Sequence, residues 1–381
     1  MKKLRILHAY QSPSFSGAES YALEVASHHA VTNEVTFLAK ADSSLFARAT
    51  AAKLKVATKI QSLDLNSFDI IILHSTQELR QHWFPIAIAK FKAGLHRRQA
   101  PVVALYTHIW ISHSKRDPIH AIPYSVLDQV WCSSLKAREA LLKYLPVRAD
   151  RIKVVRYGRE MARLTSDLLP KAAARERLNL PVDAIVIGTL ARVDKGKGSL
   201  ELFQATTELM KSRADVHLLM IGPPTDGDPN AAKLDAEIDV EISRLTPTIR
   251  SRVHKMGRLE NGTSYLTAFD LFVLATYKEN FALTLLEAMC AEIPCLATDS
   301  GGSPDLVRPN STGWLFQPES APSLRDALKT ALDQRAKWGE FGANGRTLVS
   351  IQYDFARVMM GLEQKMVALV DRQAPVEPSL D

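Results

Sequence analysis

Two glutamates, Glu279 and Glu287, stand at the ends of the run Glu279-Asn280-Phe281-Ala282-Leu283-Thr284-Leu285-Leu286-Glu287. The first falls in a loop just past an apolar run, the second one turn into a helical pattern. A carboxylate ahead of a helix can accept hydrogen bonds from sugar hydroxyls, and one inside the helix can do the same for a ribose diol. The helix start between them offers unpaired backbone N–H groups and a partial positive charge, which suits a phosphate. A solvated helix face accounts for two glutamates at this spacing just as readily. Upstream, Arg192 and Lys197 lie in Ala191-Arg192-Val193-Asp194-Lys195-Gly196-Lys197-Gly198, directly after another apolar run. Arg supplies a planar fork and Lys a point charge, a combination that can neutralise a diphosphate. Taken alone, that segment reads as a solvent-exposed basic loop. Downstream, the paired Gly301-Gly302 either lets the backbone approach a ligand closely or makes a tight turn.

Other chemistry-bearing residues carry less. Asp226-Gly227-Asp228 has the spacing of an Asp-x-Asp metal site, but it follows Ile221-Gly222-Pro223 in a Pro/Gly-rich stretch and reads as a surface turn. His8, His74 and His113 lack the i, i+4 spacing of a zinc pair, while His28 and His29 are adjacent in a helical pattern and face different ways. No catalytic metal and no cofactor are expected. Cys132, Cys290 and Cys295 form neither an even disulfide set nor a Cys-x-x-Cys pattern, and they read as small buried hydrophobes of a reducing cytosol.

The elements that must position these residues alternate from one end of the chain to the other. Strand candidates in the first half are Leu4–His8, Val35–Leu38, Ile70–Leu73, Val102–Tyr106, Val130–Cys132 and Ile152–Val155. Those in the second half are Ile185–Gly188, His217–Ile221, Val253–Met256, Leu271–Leu274 and Cys295–Ala297. Most are unbroken Ile/Val/Leu runs, which suits strands covered on both faces of a parallel sheet. Between them run helical patterns at Ala18–His29, Phe84–Ala93, Leu135–Tyr144, Leu200–Ser212, Ala232–Leu245, Leu283–Ala291 and Ala321–Gln334. A last one covers Phe355–Val370. Strand-helix alternation twice over predicts two doubly wound α/β domains, with ligands beyond the carboxyl ends of the strands. A chain of 381 residues is the right length for two such domains.

Composition narrows the function classes. With 46% hydrophobic and 23% charged residues the chain is neither disordered nor fibrous, and no stretch is long and apolar enough to span a membrane. The charge is uneven: residues 1–155 hold 21 Lys+Arg against 11 Asp+Glu, leaving 27 against 30 for the rest. The first half therefore calls for an acidic partner, whether a phospholipid surface, a phosphorylated substrate or nucleic acid. Part of its basic excess clusters at Lys90, Lys92, His96, Arg97 and Arg98, after Trp83-Phe84-Pro85-Ile86-Ala87-Ile88-Ala89, with Lys53, Lys55 and Lys59 elsewhere. An apolar helix with a basic end can lie on an anionic membrane; a crossover helix packed on the sheet is the plainer alternative.

In their order along the chain, the segments around Arg192–Lys197, Glu279–Glu287 and Gly301-Gly302 resemble the donor domain of glycosyltransferase family 4. These are retaining, nucleotide-sugar-dependent enzymes of the two-domain GT-B fold. In the first half, Ser16-Gly17-Ala18-Glu19 resembles the family's Gly-Gly-Ala-Glu loop, and His108 after Val102–Tyr106 resembles its active-site histidine. Ser133-Ser134-x-x-x-Arg and Val155-Arg156-Tyr157-Gly158 resemble the stretch before its interdomain linker.

The resemblance implies catalytic roles for His108, Arg192, Lys197 and Glu279. Arg192 and Lys197 bind the donor diphosphate and Glu279 orients the transferred sugar. Gly17, Phe281, Ala282, Leu283 and Thr284 meet phosphate or sugar, Glu287 holds the ribose, and Gly257, Arg258 and Leu259 meet the nucleobase. The departing phosphate takes the acceptor proton, so His108 contacts sugar or phosphate and is no essential base. Three departures stand out: Ser16 for the first N-terminal glycine, Asn280 and Ala282 for glycines beside Phe281, and Ala291-Glu292-Ile293-Pro294 for Cys-Gly-Leu-Pro.

The implied architecture is α/β of the GT-B type, two doubly wound Rossmann-like domains facing each other across a cleft. The acceptor domain is expected over 1–160 and the donor domain over 161–352. A helix over 353–372 returns to the first, and a flexible tail covers 373–381. The implied activity moves a sugar from a nucleoside-diphosphate sugar to a glycan, glycolipid or lipid-linked acceptor in bacterial-type surface polysaccharide or lipopolysaccharide synthesis. A sugar-nucleotide epimerase or hydrolase of the same fold, or a catalytically silent interaction module, is the alternative. A cytoplasmic location is expected, peripheral on an anionic inner membrane face, with no nucleic-acid partner.

Overall fold

The computed structural model describes residues 3–13 and 15–371, so the tail expected over 373–381 lies outside the described residues. The chain divides into two compact units. One takes the chain up to Arg156 and again from Ala356, and the other takes Tyr157–Phe355.

The first unit is built on β1 (Arg5–Ala9), β2 (Glu34–Leu38), β3 (Lys55–Ala57), β4 (Ile70–Leu73), β5 (Val102–Tyr106), β6 (Gln129–Cys132) and β7 (Ile152–Val154). They form one sheet in the order β3-β2-β1-β4-β5-β6-β7, with every pairing parallel. Leu7, Ala9, Ile71, Leu73, Val103 and Leu105 alternate onto one face and share a core with Leu79 and Ile86 of the Thr76–Leu95 helix. The opposite face carries His8 and Tyr106 and receives Tyr21, Val25 and His29 of the Gly17–Thr32 helix.

β3 was not legible as a strand: it is three residues long and opens on an exposed lysine, the form in which a sheet edge is protected from further pairing. The Thr76–Leu95 helix is twice the length expected from its apolar run. Ser75 caps it by accepting from the N–H groups of Gln77 and Glu78, and Pro85 is carried inside it.

The second unit holds β8 (Ile185–Leu190), β9 (Val216–Ile221), β10 (Val253–Gly257), β11 (Leu271–Leu274), β12 (Cys295–Thr298) and β13 (Gly313–Phe316). Its all-parallel sheet runs β10-β9-β8-β11-β12-β13. At the amino edge of β8 and β11 the buried Arg175 donates to Asp270 at 2.6 Å and to the carbonyls of Ala268 and Ala184. Asp270 also accepts the Val186 N–H at 2.7 Å, so this ion pair is tied into the base of both strands. Both sheets are doubly wound, and the functional residues of the second unit collect at the opposite, carboxyl edge.

Candidate donor site

Three loops at the carboxyl edge of the second sheet are tied to one another by backbone. After β8 the chain turns through Lys195–Lys197 and enters the Ser199–Met210 helix at Gly198. Only glycine suits that position, because its φ is +66° and a Cβ would lie 2.2 Å from the Ala275 carbonyl. The Tyr277 N–H donates to Gly196 O at 2.9 Å, which fastens the loop after β11 onto this turn. From the other side, Ser300 Oγ donates to Tyr277 O at 2.6 Å and the Gly302 N–H donates to Glu279 O at 3.0 Å.

The paired glycines thereby find their reason. Gly301 has φ +55°, and a Cβ on it would fall 1.6 Å from the Glu279 carbonyl oxygen. The close approach they permit is to the Glu279 loop of the same chain.

This packing brings Lys197 Nζ to 2.5 Å from Glu279 Oε2, with both side chains about a quarter exposed. Arg192 is exposed on the same β8 loop and has no ion-pair partner among the described residues. Asp194 holds the turn by accepting the Gly196 N–H at 2.8 Å and the Thr225 hydroxyl at 3.2 Å.

The Leu283–Cys290 helix follows with Ala282 at its N-cap and no side chain capping it. Its first amides, at Leu283 and Thr284, precede the first intrahelical hydrogen bond and keep the partial positive charge of a helix start. The Phe281 ring is buried and packs between Tyr157 and Tyr353, at 5.3 and 5.6 Å, so this residue contributes backbone and anchors the loop in the core.

Glu287 lies one turn further on and is buried. Its Oε1 accepts from Arg159 Nε at 3.1 Å, which fixes the direction of the carboxylate. Arg159 escaped the sequence reading because nothing local signals a pair 128 residues apart.

At the end of β10, Gly257 adopts φ +61° beside a bulge and its carbonyl accepts the Gly222 N–H at 2.8 Å. Arg258 is exposed and pairs with Asp226 at 2.8 Å, and Leu259 is half-buried beside it. Asp228 caps the Pro229–Arg244 helix through the Asn230 N–H. The two aspartates of the Asp-x-Asp stretch thus serve an ion pair and a cap.

In the first unit, Gly17 is exposed at the start of its helix. Beside it Glu19 accepts from the backbone N–H and the hydroxyl of Ser16. Burial pushes the Glu19 carboxyl up, but hydrogen bonds from Ser16, Ser12 and Tyr10 outweigh it and hold it below the ordinary carboxylate value. His108 follows β5, buried beneath Tyr106 with ring centres 4.7 Å apart, and burial lowers its pKa to about 3.

A family model for glycosyl transferases, group 1, matches residues 170–348. That segment, just under half of the chain, is similar to the group 1 glycosyl transferases. The group 1 segment contains every donor-side residue named above from Arg192 to Glu287, whereas Gly17 and His108 lie before it. The chain is 28% identical over 177 residues to the lipopolysaccharide core biosynthesis mannosyltransferase LpsB of Rhizobium meliloti, covering 46% of this chain and 49% of that one. It is 26% identical over 194 residues to a GDP-mannose-dependent phosphatidylinositol monomannoside mannosyltransferase of Corynebacterium glutamicum, covering 49% and 48%. The chain thus spans about half the length of the curated relatives it matches.

Among solved structures, Anabaena Alr3699/HepE in complex with UDP superposes with a TM-score of 0.80 at 18% identity, over 96% of this chain and 100% of that one. A glycosyltransferase from Rickettsia africae gives 0.78 at 17%, over 98% and 100%. At such identities the likeness is one of fold, and the fold is GT-B, two doubly wound α/β units in one chain.

Proposed function

We propose that this chain is a retaining, metal-independent glycosyltransferase. It moves a sugar from a nucleoside-diphosphate sugar to a hydroxyl of a glycan, glycolipid or lipid-linked acceptor in surface polysaccharide or lipopolysaccharide synthesis. The observation that carries this reading is the Lys197–Glu279 pair, set between exposed Arg192 and the uncapped helix start at Leu283–Thr284. Positive groups for a departing diphosphate and a carboxylate for a sugar lie within one tied loop cluster. The core-lipopolysaccharide mannosyltransferase among the relatives and the UDP-bound structural neighbour support the donor and acceptor classes.

In this reaction the bond from the anomeric carbon to the diphosphate oxygen breaks, and negative charge grows on the leaving nucleoside diphosphate. Lys197, Arg192 and the Leu283 and Thr284 amides stabilise that charge, which removes the need for a metal. Glu279 orients the sugar as positive charge develops on it, and Glu287, aligned by Arg159, holds the ribose. The acceptor hydroxyl attacks from the face the phosphate leaves, and the phosphate takes its proton. Gly257 to Leu259 receive the nucleobase.

The same reading includes peripheral binding to an anionic membrane. The outer face of the Thr76–Leu95 helix exposes Phe84, Ile88, Phe91 and Leu95, spaced so that they line one side of the helix. The adjoining Pro118–Tyr124 helix adds Ile119 and Ile122, both exposed. Lys92, Arg97 and Arg98 are exposed at the basic end of this face, which fits an apolar layer under anionic headgroups. Lys90 drops out of the expected basic cluster, because its Nζ is held by Asp128 at 2.6 Å and by the Val126 carbonyl. Among the described residues no helix is long and apolar enough to cross a membrane.

The test is nucleoside diphosphate release from a panel of UDP-, GDP-, ADP- and CDP-sugars, with and without a lipid-linked acceptor and with a chelator present. Acceptor-dependent release that persists in the chelator supports the proposal, and no release from any donor removes it.

A further inference from the structure

His108 is the end of a file of four buried imidazoles. His29 Nδ1 lies 3.1 Å from His8 Nε2, His8 Nδ1 lies 2.9 Å from His74 Nε2, and His74 Nδ1 lies 2.8 Å from His108 Nε2. The geometry follows from the sheet. His8 sits on β1, His74 directly follows β4, and His108 follows β5 by two residues. These three strands are neighbours, and the ring centres are 5.2 and 5.1 Å apart, close to the spacing of adjacent strands. His29 reaches in from the Gly17–Thr32 helix, its ring centre 5.2 Å from that of His8. Phe37 stacks on His8, and Tyr10 on His74 and His108, which holds the rings in plane.

Burial keeps the imidazoles neutral. It lowers His29 and His108 to about 3 and puts His8 and His74 well below the ordinary value. A neutral imidazole has one N–H and one lone pair. Each of the three links needs one proton, so all four rings must point their N–H the same way along the file. Only two fully bonded arrangements exist. If the protons point toward His29, an N–H is buried at His29 Nε2, an atom with no hydrogen-bond partner among the described residues. If they point toward His108, that atom is a bare lone pair, the milder defect, since orphaned buried donors are the rarer kind. The second arrangement also directs the positive ends of the ring dipoles toward His108, the ring that feels the negative charge of Glu19.

We infer that His29, His8 and His74 are positioning residues that lock His108 with its proton on Nδ1 and its Nε2 lone pair occupied by His74. His108 then acts as a hydrogen-bond donor and has no lone pair with which to serve as a base. This role in turnover rests on the transferase reading, whereas the tautomer itself does not.

The experiment is a long-range 1H–15N spectrum of the full chain labelled at histidine, which separates Nδ1–H from Nε2–H rings. All four file histidines are expected as Nδ1–H at neutral pH. In His74→Phe, the His108 Nε2 lone pair loses its donor and its 15N resonance is expected to move downfield to that of an unbonded imine nitrogen, and in His74→Asn the side-chain amide keeps a donor against His108 Nε2 and the hydrogen-bonded shift. An Nε2–H signal for His29 or His108 in the unaltered protein overturns the inference, as does an unmoved His108 Nε2 resonance in His74→Phe. If the phenylalanine variant does not fold, the unaltered spectrum decides alone. Turnover of the active donor should fall by about tenfold in His74→Phe and recover in His74→Asn. A protein inactive with every donor, yet showing the Nδ1–H file, would remove the transferase reading and leave this one standing.

Discussion

Lys197 Nζ and Glu279 Oε2 lie 2.5 Å apart although 82 residues separate them, so each holds the other's charge in place before any donor arrives. That pairing makes the effects of their replacement unequal. On the proposed function, Lys197→Ala removes a cation from the leaving group and also frees Glu279 to repel the diphosphate. Turnover should fall on the order of 10²–10³. Arg192→Ala, which disturbs no ion pair, should lower turnover to a similar degree with an unchanged melting temperature. Steady-state nucleoside diphosphate release with parallel thermal melts checks both, and near-normal turnover in the two folded variants would exclude these residues from the diphosphate site.

The two glutamates separate by what they touch. On the proposed function, in which the carboxylate meets the sugar where charge develops, Glu279→Ala should lower kcat. Glu287→Ala should raise KM instead, the ribose being remote from the reacting carbon. It also removes the carboxylate to which the partly buried Arg159 donates, which should lower stability by about 1–3 kcal/mol. The double variant Arg159→Ala with Glu287→Ala should therefore be less destabilised than the sum of the singles. Denaturant titrations of the four proteins measure that coupling, and strict additivity would show that the pair is not stabilising.

Gly301→Ala is expected to damage the site without touching any ligand. The new Cβ is required to sit in the left-handed region and 1.6 Å from the Glu279 carbonyl, so the Glu279 loop must move. Strain and overpacking together come to about 3 kcal/mol, or a fall in Tm of roughly 6–12 °C. Turnover should drop by more than the residual folded fraction explains. An unaltered Tm would mean that the two loops are not packed as described.

Stability should depend on pH through the imidazole file. His29 and His108 have folded pKa values near 3, well below the value near 6.5 of the unfolded chain. The unfolded state therefore binds more protons below pH 6.5, and stability falls as pH drops from about 7 toward 3. Between pH 7 and pH 5 each such histidine withdraws on the order of 2 kcal/mol. Most carboxylates titrate below that window. Replacing His29, whose outer nitrogen has no partner among the described residues, by Phe should flatten the slope of Tm against pH over this range. An unchanged slope would place the sensitivity elsewhere.

Much of the fold could be read from apolar runs alone. Ile70–Leu73, Val102–Tyr106 and Leu271–Leu274 are strands with the expected bounds, because unbroken β-branched and Leu runs between turn residues have few other uses in a chain this size. β3 could not be read this way, since three residues opening on lysine carry no period. The loops bearing Arg192, Lys197, Glu279 and Glu287 were legible as motifs, yet the meaning of Gly301-Gly302 was not, because its partner is backbone 22 residues earlier. The histidine file was missed for a related reason. The test applied was i, i+4 spacing along one helix, whereas adjacent parallel strands align residues 34 and 66 positions apart. A histidine at or just past the carboxyl end of three of the first four strand candidates was the available signal.

The exposed face of the Thr76–Leu95 helix gives the last prediction. Half of this helix is consumed by the sheet, through Leu79, Ile86, Ala89 and Ala93, and that half answers the need of a parallel crossover for a buried face. Phe84, Ile88, Phe91 and Leu95 are left over on the other side, and Phe91 and Leu95 are each about two-thirds exposed. Apolar residues scattered singly need no explanation, but a continuous stripe adjoining Ile119 and Ile122 does. If it lies on an anionic membrane, binding has two separable parts. Lys92, Arg97 and Arg98 provide salt-sensitive attraction of about 1 kcal/mol for each charge near the surface, and the apolar stripe provides insertion that salt does not screen. Changing these three basic residues to Gln should abolish co-sedimentation with phosphatidylserine-rich vesicles at physiological salt and leave Tm unchanged. Phe91→Ser with Leu95→Ser should weaken binding at low and high salt alike. Lys90→Gln should instead lower Tm, because that ammonium group holds Asp128 and the Val126 carbonyl inside the first unit. A chain that fails to pellet with anionic vesicles even at low salt would reserve its basic excess for a soluble, acidic acceptor.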